Sequence, residues 1–189
     1  NFIMSKLETN TIDTVSGTTN LVIGSTNSST VTFENGAPTG HMYPAFEAFL
    51  SANQTMSSNT NTKVQANTEI FDTDNCYDNS TNYRFTPNKA GKYFVYAKGR
   101  GDANGTNDVQ RVISIIYKNG AELMNAPFYG NISNPHNFFT PLVAGVVDMN
   151  GSSDYVEFFI NILVSSGTPQ VYGAASLRTT TFGAYRIGA

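Results

Sequence analysis

The stretch from residue 71 to residue 97, FDTDNCYDNSTNYRFTPNKAGKYFVYA, decides how this chain folds. It opens on Asp- and Asn-rich turn residues, passes a short β-prone piece at Tyr83 to Phe85, and turns through Pro87-Asn88-Lys89-Ala90-Gly91. It ends in an aromatic run from Lys92 to Ala97. Asn, Asp, Pro and Gly favour turns, whereas Tyr, Phe and Val fit a pleated surface. The spacing predicts two strands joined as an antiparallel hairpin. Side chains alternate along a strand, so Tyr93, Val95 and Ala97 share one face and Phe94 and Tyr96 the other. Both faces are apolar. A sandwich core needs only one of them, and the second requires cover from the same chain or from a neighbouring subunit.

Outward from this stretch, strand-like pieces recur at 45–50, 63–71, 83–85, 92–99, 109–118, 122–125, 138–148, 155–164, 170–177 and 179–187. Many short strands joined by polar turns predict an all-β jelly-roll sandwich. No fixed-period repeat is present, which argues against a solenoid or propeller. Along 155–164 the row Val156, Phe158, Ile160, Ile162 and Val164 suits the sandwich interior. The opposite row carries Tyr155, Glu157, Phe159, Asn161 and Leu163. Three large apolar or aromatic groups on an outer row call for cover, and Glu157 and Asn161 then need partners or water at its margin.

Upstream, residues 1–36 form a separate, sparsely apolar unit. Leu7, Ile12, Val15, Leu21, Ile23, Val31 and Phe33 are too few to close a core alone, so this arm is expected to anchor against something else. Residues 37–43, with Pro38 and Gly40, read as a linker, and the head spans 44–189. Met4 reads as the natural start, with Asn1-Phe2-Ile3 as an upstream extension, although a processed or partial chain is equally compatible with these three residues, and the residues after Met4 are too polar for a secretory signal.

Composition narrows the function. Charged residues make up 13% of the chain and the net charge is −3 with no basic cluster, which excludes nucleic acid as a partner and disfavours anionic membrane surfaces. No apolar run approaches the roughly 20 residues that span a bilayer as a helix. The lone Cys76 has no intramolecular disulfide partner, so stability has to come from burial and association.

The motifs that suggest chemistry are weak. Asp72-Thr73-Asp74-Asn75-Cys76-Tyr77-Asp78 starts like a calcium loop, yet Tyr77 stands where the turn glycine is needed and Tyr83 where the bidentate Glu is needed. The Gly101 to Asp108 segment offers oxygen ligands but reads as a solvated loop, so no metal or other cofactor is expected. Arg100-Gly101-Asp102 spells an integrin-type tripeptide on an expected exposed loop. His41 and His136 lack a recognisable catalytic partner, and Cys76 reads as a small buried side chain. Glu47, Glu69, Glu122 and Glu157 lie on or near strands without a pairing signal. The chain is not expected to be an enzyme.

A resemblance sharpens this. The set Phe71, Asp72, Asn75, Tyr77-Asp78, Ser80-Thr81, Phe85, Pro87, Gly91 and Tyr93 resembles the central signature of the complement C-one-q globular domain, a tumour-necrosis-factor-like jelly roll. The likeness continues through Pro44 to Ala48, Lys118-Asn119-Gly120 at a hairpin, Asp154-Tyr155-Val156, and Phe182-Gly183-Ala184-Tyr185. The arm, SKLETNTID followed by SGTTNLVIG, resembles the opening of tailed-phage structural proteins. Together these resemblances imply a homotrimer located in a virion, with a projecting head. Its role would be capsid decoration, with a tail-fibre tip or a secreted complement-like binding protein as alternatives. Expected interface residues are Tyr155, Phe159, Leu163, Tyr93 and Val95; expected virion anchors are Leu7, Ile12, Val15, Leu21 and Ile23. Virion proteins, and a host-surface glycan or protein, are the expected partners.

Overall fold

A computed structural model of the chain describes residues 43–105, 108–130 and 136–188. The anchoring arm with Leu7, Ile12, Val15, Leu21 and Ile23, and the linker up to residue 42, lie outside the described residues.

The strands are β1 (Ala45–Phe49), β2 (Gln54–Thr55), β3 (Thr62–Lys63), β4 (Thr68–Asp72), β5 (Tyr77–Asp78), β6 (Arg84–Phe85), β7 (Ala90–Lys98) and β8 (Gly101–Asp102). They continue with β9 (Val109–Lys118), β10 (Ala121–Tyr129), β11 (Phe138–Phe139), β12 (Leu142–Asn150), β13 (Val156–Val164), β14 (Gln170–Val171) and β15 (Thr181–Gly188). A five-stranded sheet runs β12-β7-β15-β1-β4. A second sheet runs β10-β9-β13-β6-β5, with β3 also paired to β13, and a small sheet of two-residue strands runs β11-β8-β14-β2. Every pairing is antiparallel. The chain alternates between the two large sheets, from β1 and β4 to β5 and β6, back to β7, across to β9 and β10, and so to β15. That wiring is a jelly-roll sandwich.

Alternation builds the core. Tyr93, Val95 and Ala97 of β7 and Val156, Phe158, Ile160 and Ile162 of β13 are buried from opposite sheets. Phe46 of β1 sits between them, stacked on Tyr77 at 4.4 Å and on Phe85 at 4.6 Å, with the edge of Phe182 at 5.0 Å. Each such ring contributes roughly 1.5–3 kcal/mol by burial, with a smaller increment from ring geometry.

The expected hairpin is corrected. β6 pairs with β5 and β13, whereas β7 pairs with β12 and β15, so residues 86–89 carry the chain from one sheet to the other, and Ala90 and Gly91 of the expected turn already belong to β7. Phe85 and Tyr93 therefore meet across the core, edge to face at 5.8 Å. A two-residue strand offers little ladder to the nine-residue β7, which finds long partners on both sides.

Other boundaries moved for local reasons. The expected 63–71 strand is split, because Val64 and Ala66 turn inward between β3 and β4. The 138–148 piece breaks at Thr140-Pro141, and 170–177 keeps only β14 and a bridge between Ala174 and Leu177. β10 extends past Asn125 through Pro127, which an edge strand tolerates because one row of its backbone groups has no ladder partner. The Asn119-Gly120 turn between β9 and β10 has φ values of 53° and 81°, as a tight two-residue hairpin requires.

Candidate interaction surfaces

The outer face of the five-stranded sheet is assembled by register. Val146, Phe94, Tyr185 and Ala45 lie side by side across β12, β7, β15 and β1. The next row is Ala144, Tyr96, Gly183, Glu47 and Phe71, reaching β4. Phe94 packs against Tyr185 at 5.5 Å and against Tyr96 at 6.2 Å. Two polar pairs lie on it, and Lys98, beside Leu142, has no hydrogen-bond or ion-pair partner among the described residues. Tyr96 Oη donates to Glu47 Oε2 at 2.5 Å, and Lys92 bridges to Asp148 at 2.6 Å at the sheet margin.

This face stays open. Leu142 and Val146 are 59% and 54% exposed, Phe71 is 45% and Tyr43 44% exposed. Tyr43, Ala45, Phe71, Thr73 and Tyr185 line a hollow of about 440 Å³ at the β4 end. Apolar surface of this extent calls for cover.

The outer face of the β9-β13 sheet is different, although the sequence directs attention to it. Phe159 is half-buried, with Tyr117 at 4.1 Å and the Lys63 ammonium at 5.7 Å from its ring. Tyr155 carries the Arg84 guanidinium at 4.6 Å. Glu157 is ion-paired to Lys63 at 2.5 Å. Asn161 donates to Asn61 at 2.8 Å and accepts from Arg111 at 3.0 Å, and Arg111 also reaches Asn59. The 57–63 segment with β3 thus supplies within one chain the cover this row needs; Leu163, at its far end, is half-buried.

Tyr93 and Val95 require a correction. Both are fully buried in the sandwich core and cannot meet a neighbouring subunit. The Tyr93 phenol is pushed up to about 12, chiefly by burial, and donates to the Lys89 carbonyl at 2.8 Å. The apolar residues that do face outward are Leu142, Val146, Tyr185 and Phe71, and the sequence signal for the first two is that Leu142, Ala144 and Val146 alternate with Val143, Gly145 and Val147, leaving both rows apolar.

The weak chemical motifs resolve as structure. Asp72 accepts from the backbone N–H of Tyr77 at 2.7 Å and of Asp74 at 3.4 Å, so its carboxylate shapes the loop. Arg100-Gly101-Asp102 is not an exposed loop: Gly101 and Asp102 are buried in β8, and a Cβ on Gly101 would strike Val112 and Ile162. The Arg100 guanidinium lies between Phe138 at 4.0 Å and Tyr172 at 4.4 Å. Burial pushes the Cys76 thiol up, with Asp72 and Asp74 adding to the effect, which disfavours the nucleophilic thiolate. His136 pairs through its backbone with Val109 and packs its ring 4.9 Å from Phe139. Glu47 and Glu157 lie on the outer faces of different sheets, and Glu69 and Glu122 on β4 and β10 at opposite margins of the sandwich.

No family model matches the chain, and no curated protein is similar to it. Solved structures are. Murine APRIL aligns at 10% identity and a TM-score of 0.54, over 75% of this chain and 97% of APRIL. The Eiger TNF from S. frugiperda aligns at 8% identity and 0.52, over 77% of this chain and 92% of its own. At these identities the likeness establishes the fold, and the chain carries a tumour-necrosis-factor-like jelly roll.

Proposed function

We propose that this chain is a virion structural protein whose jelly-roll head assembles as a homotrimer and projects from the particle as a capsid decoration, the arm being its attachment. The observation that carries the assembly is the open apolar face of the five-stranded sheet, with Leu142, Val146 and Phe71 exposed on it. Burying such side chains against a second copy contributes roughly 1.5–3 kcal/mol each, and Glu47 with Tyr96 and Lys92 with Asp148 are already paired within the chain. The trimer and the phage setting rest on the sequence resemblances, the arm's SKLETNTID in particular. The role is adhesion and packing. A raised Cys76 thiol and separated carboxylates give no support to catalysis.

A second reading is compatible with the fold: a secreted complement-like ligand-binding protein. Light scattering on Val146→Asp and on Phe71→Asp tests the assembly, with monomer expected from both and an unchanged trimer counting against the face. Peptide mass spectrometry of purified particles, set against cell-free medium, separates virion protein from secreted protein.

A further inference from the structure

We propose that the groove between β4 and the β5–β6 pair is a binding site for a neutral saccharide. This inference is independent of the trimer and of the virion setting.

The groove encloses about 590 Å³, within the roughly 300–1,000 Å³ typical of small-molecule sites. Its floor is anchored. The Tyr77 ring is stacked on Phe46 at 4.4 Å, and its hydroxyl donates to the Ala66 carbonyl at 2.9 Å. Its wall is fixed by Asp78, whose carboxylate accepts the backbone N–H groups of Ser80, Thr81 and Asn82 at 3.1, 2.9 and 3.0 Å and the Asn82 amide at 2.8 Å. Tyr83, between the lining residues Asn82 and Arg84, holds φ 49°, a costly conformation for an aromatic residue and one kept by its surroundings.

On this rigid frame stand side chains that are not used internally. Glu69, Asn75 and Asn79 line the groove and make no side-chain hydrogen bond to another described residue. Arg84 lines it too, with its guanidinium carbon 4.6 Å from the centre of the Tyr155 ring and no hydrogen bond or ion pair to another described residue. The set therefore holds a carboxylate that accepts, a guanidinium that donates and two amides that do both.

That combination selects the ligand class. A sugar hydroxyl donates and accepts at once, so vicinal hydroxyls match a wall of amides beside a carboxylate. An anion is opposed by Glu69 and Asp78, with Asp72 and Asp74 close by, against the single charge of Arg84. An apolar ligand would leave these polar walls unsatisfied. No group of three or more acidic, His or Cys side chains placed to hold a metal is present among the described residues. No aromatic face lies open to stack on the sugar ring, so the affinity expected is millimolar.

Saturation-transfer difference NMR on the full chain tests this, with the methyl glycosides of galactose, mannose and N-acetylglucosamine as neutral probes and that of N-acetylneuraminic acid as the acidic one. At least one neutral glycoside should show saturable transfer, weakened about tenfold in Glu69→Ala/Asn79→Ala. Arg84→Met, which keeps apolar contact with Tyr155, should weaken it independently, and Asn104→Ala should not. Each variant is first matched to the parent in melting temperature. Transfer to no neutral glycoside, transfer confined to the acidic sugar, or transfer unchanged in both groove variants would overturn the assignment.

Discussion

Tyr96 of β7 reaches over Gly183 of β15 to donate its hydroxyl to Glu47 of β1, at 2.5 Å. The bond spans three strands, and it exists because Gly183 has no side chain: a Cβ there would collide with the Tyr96 ring and come within 3.0 Å of the Phe46 carbonyl oxygen. One glycine thus lets an aromatic lie flat on the sheet and places a carboxylate under it, keeping the outer face smooth. Gly183→Ala should lower stability by roughly 1–3 kcal/mol through overpacking, a loss of several degrees in a thermal melt. A melt unchanged within a degree would show that the Tyr96 ring can move aside at no cost.

The same pair sets a titration. Burial, then the Glu47 hydrogen bond and charge, push the Tyr96 phenol well above the ordinary range. In a spectrophotometric titration Tyr96→Phe should remove one of the late-ionising tyrosines and leave the early-ionising population unchanged. A loss from the population titrating near 10 would place Tyr96 in open solvent.

Asp78 gives the acid response. Its carboxyl is held well below the usual range, first by the Thr81 backbone N–H and further by Ser80 and Asn82. A group whose folded pKa is depressed adds stability that is complete above its unfolded value of about 3.9 and is lost as pH falls through the folded value. The melting-temperature gap between the parent and Asp78→Ala should therefore be widest near neutral pH and narrow as pH falls below about 4. A gap that is constant with pH would mean the loop is held without the charge.

Phe159 separates two explanations of the same sequence row. Its ring is covered by Tyr117 and Lys63 of its own chain. Phe159→Asp should destabilise the head by roughly 2–4 kcal/mol, through lost packing and a charge placed beside Glu157. Light scattering on the folded fraction should still report the assembled mass. A folded monomer would instead make this row the interface.

How far the sequence could be read depends on what each signal encodes. Period-two alternation placed Val156, Phe158, Ile160 and Ile162 of β13 in the interior and separated Tyr93, Val95 and Ala97 from Phe94 and Tyr96 on β7, because it is a local property of the strand, but it left open which β7 row faces inward. The same alternation could not say which sheet Phe85 joins. Pairing is non-local, and a short turn serves a hairpin and a crossing between sheets equally well. Nor could it reveal that Asn59, Asn61 and Lys63 fold over Glu157, Phe159 and Asn161, since contacts some 100 residues apart leave no periodic trace. With both β7 rows apolar, alternation alone could not separate the row of Tyr93 and Val95, which is buried in the core, from the row of Phe94 and Tyr96, which faces outward. The saccharide groove was hidden for a different reason. Asn-rich loops look alike in sequence, and only the fold separates Asp78, committed to its own loop, from Asn75 and Asn79, which are left free.

Native mass spectrometry of the full chain tests the proposed assembly most directly. The chain mass is 20.5 kDa, so a single dominant species at three times that mass is expected, collapsing to one chain mass in Val146→Asp. A parent protein found predominantly at 20.5 kDa, folded and at micromolar concentration, would contradict it.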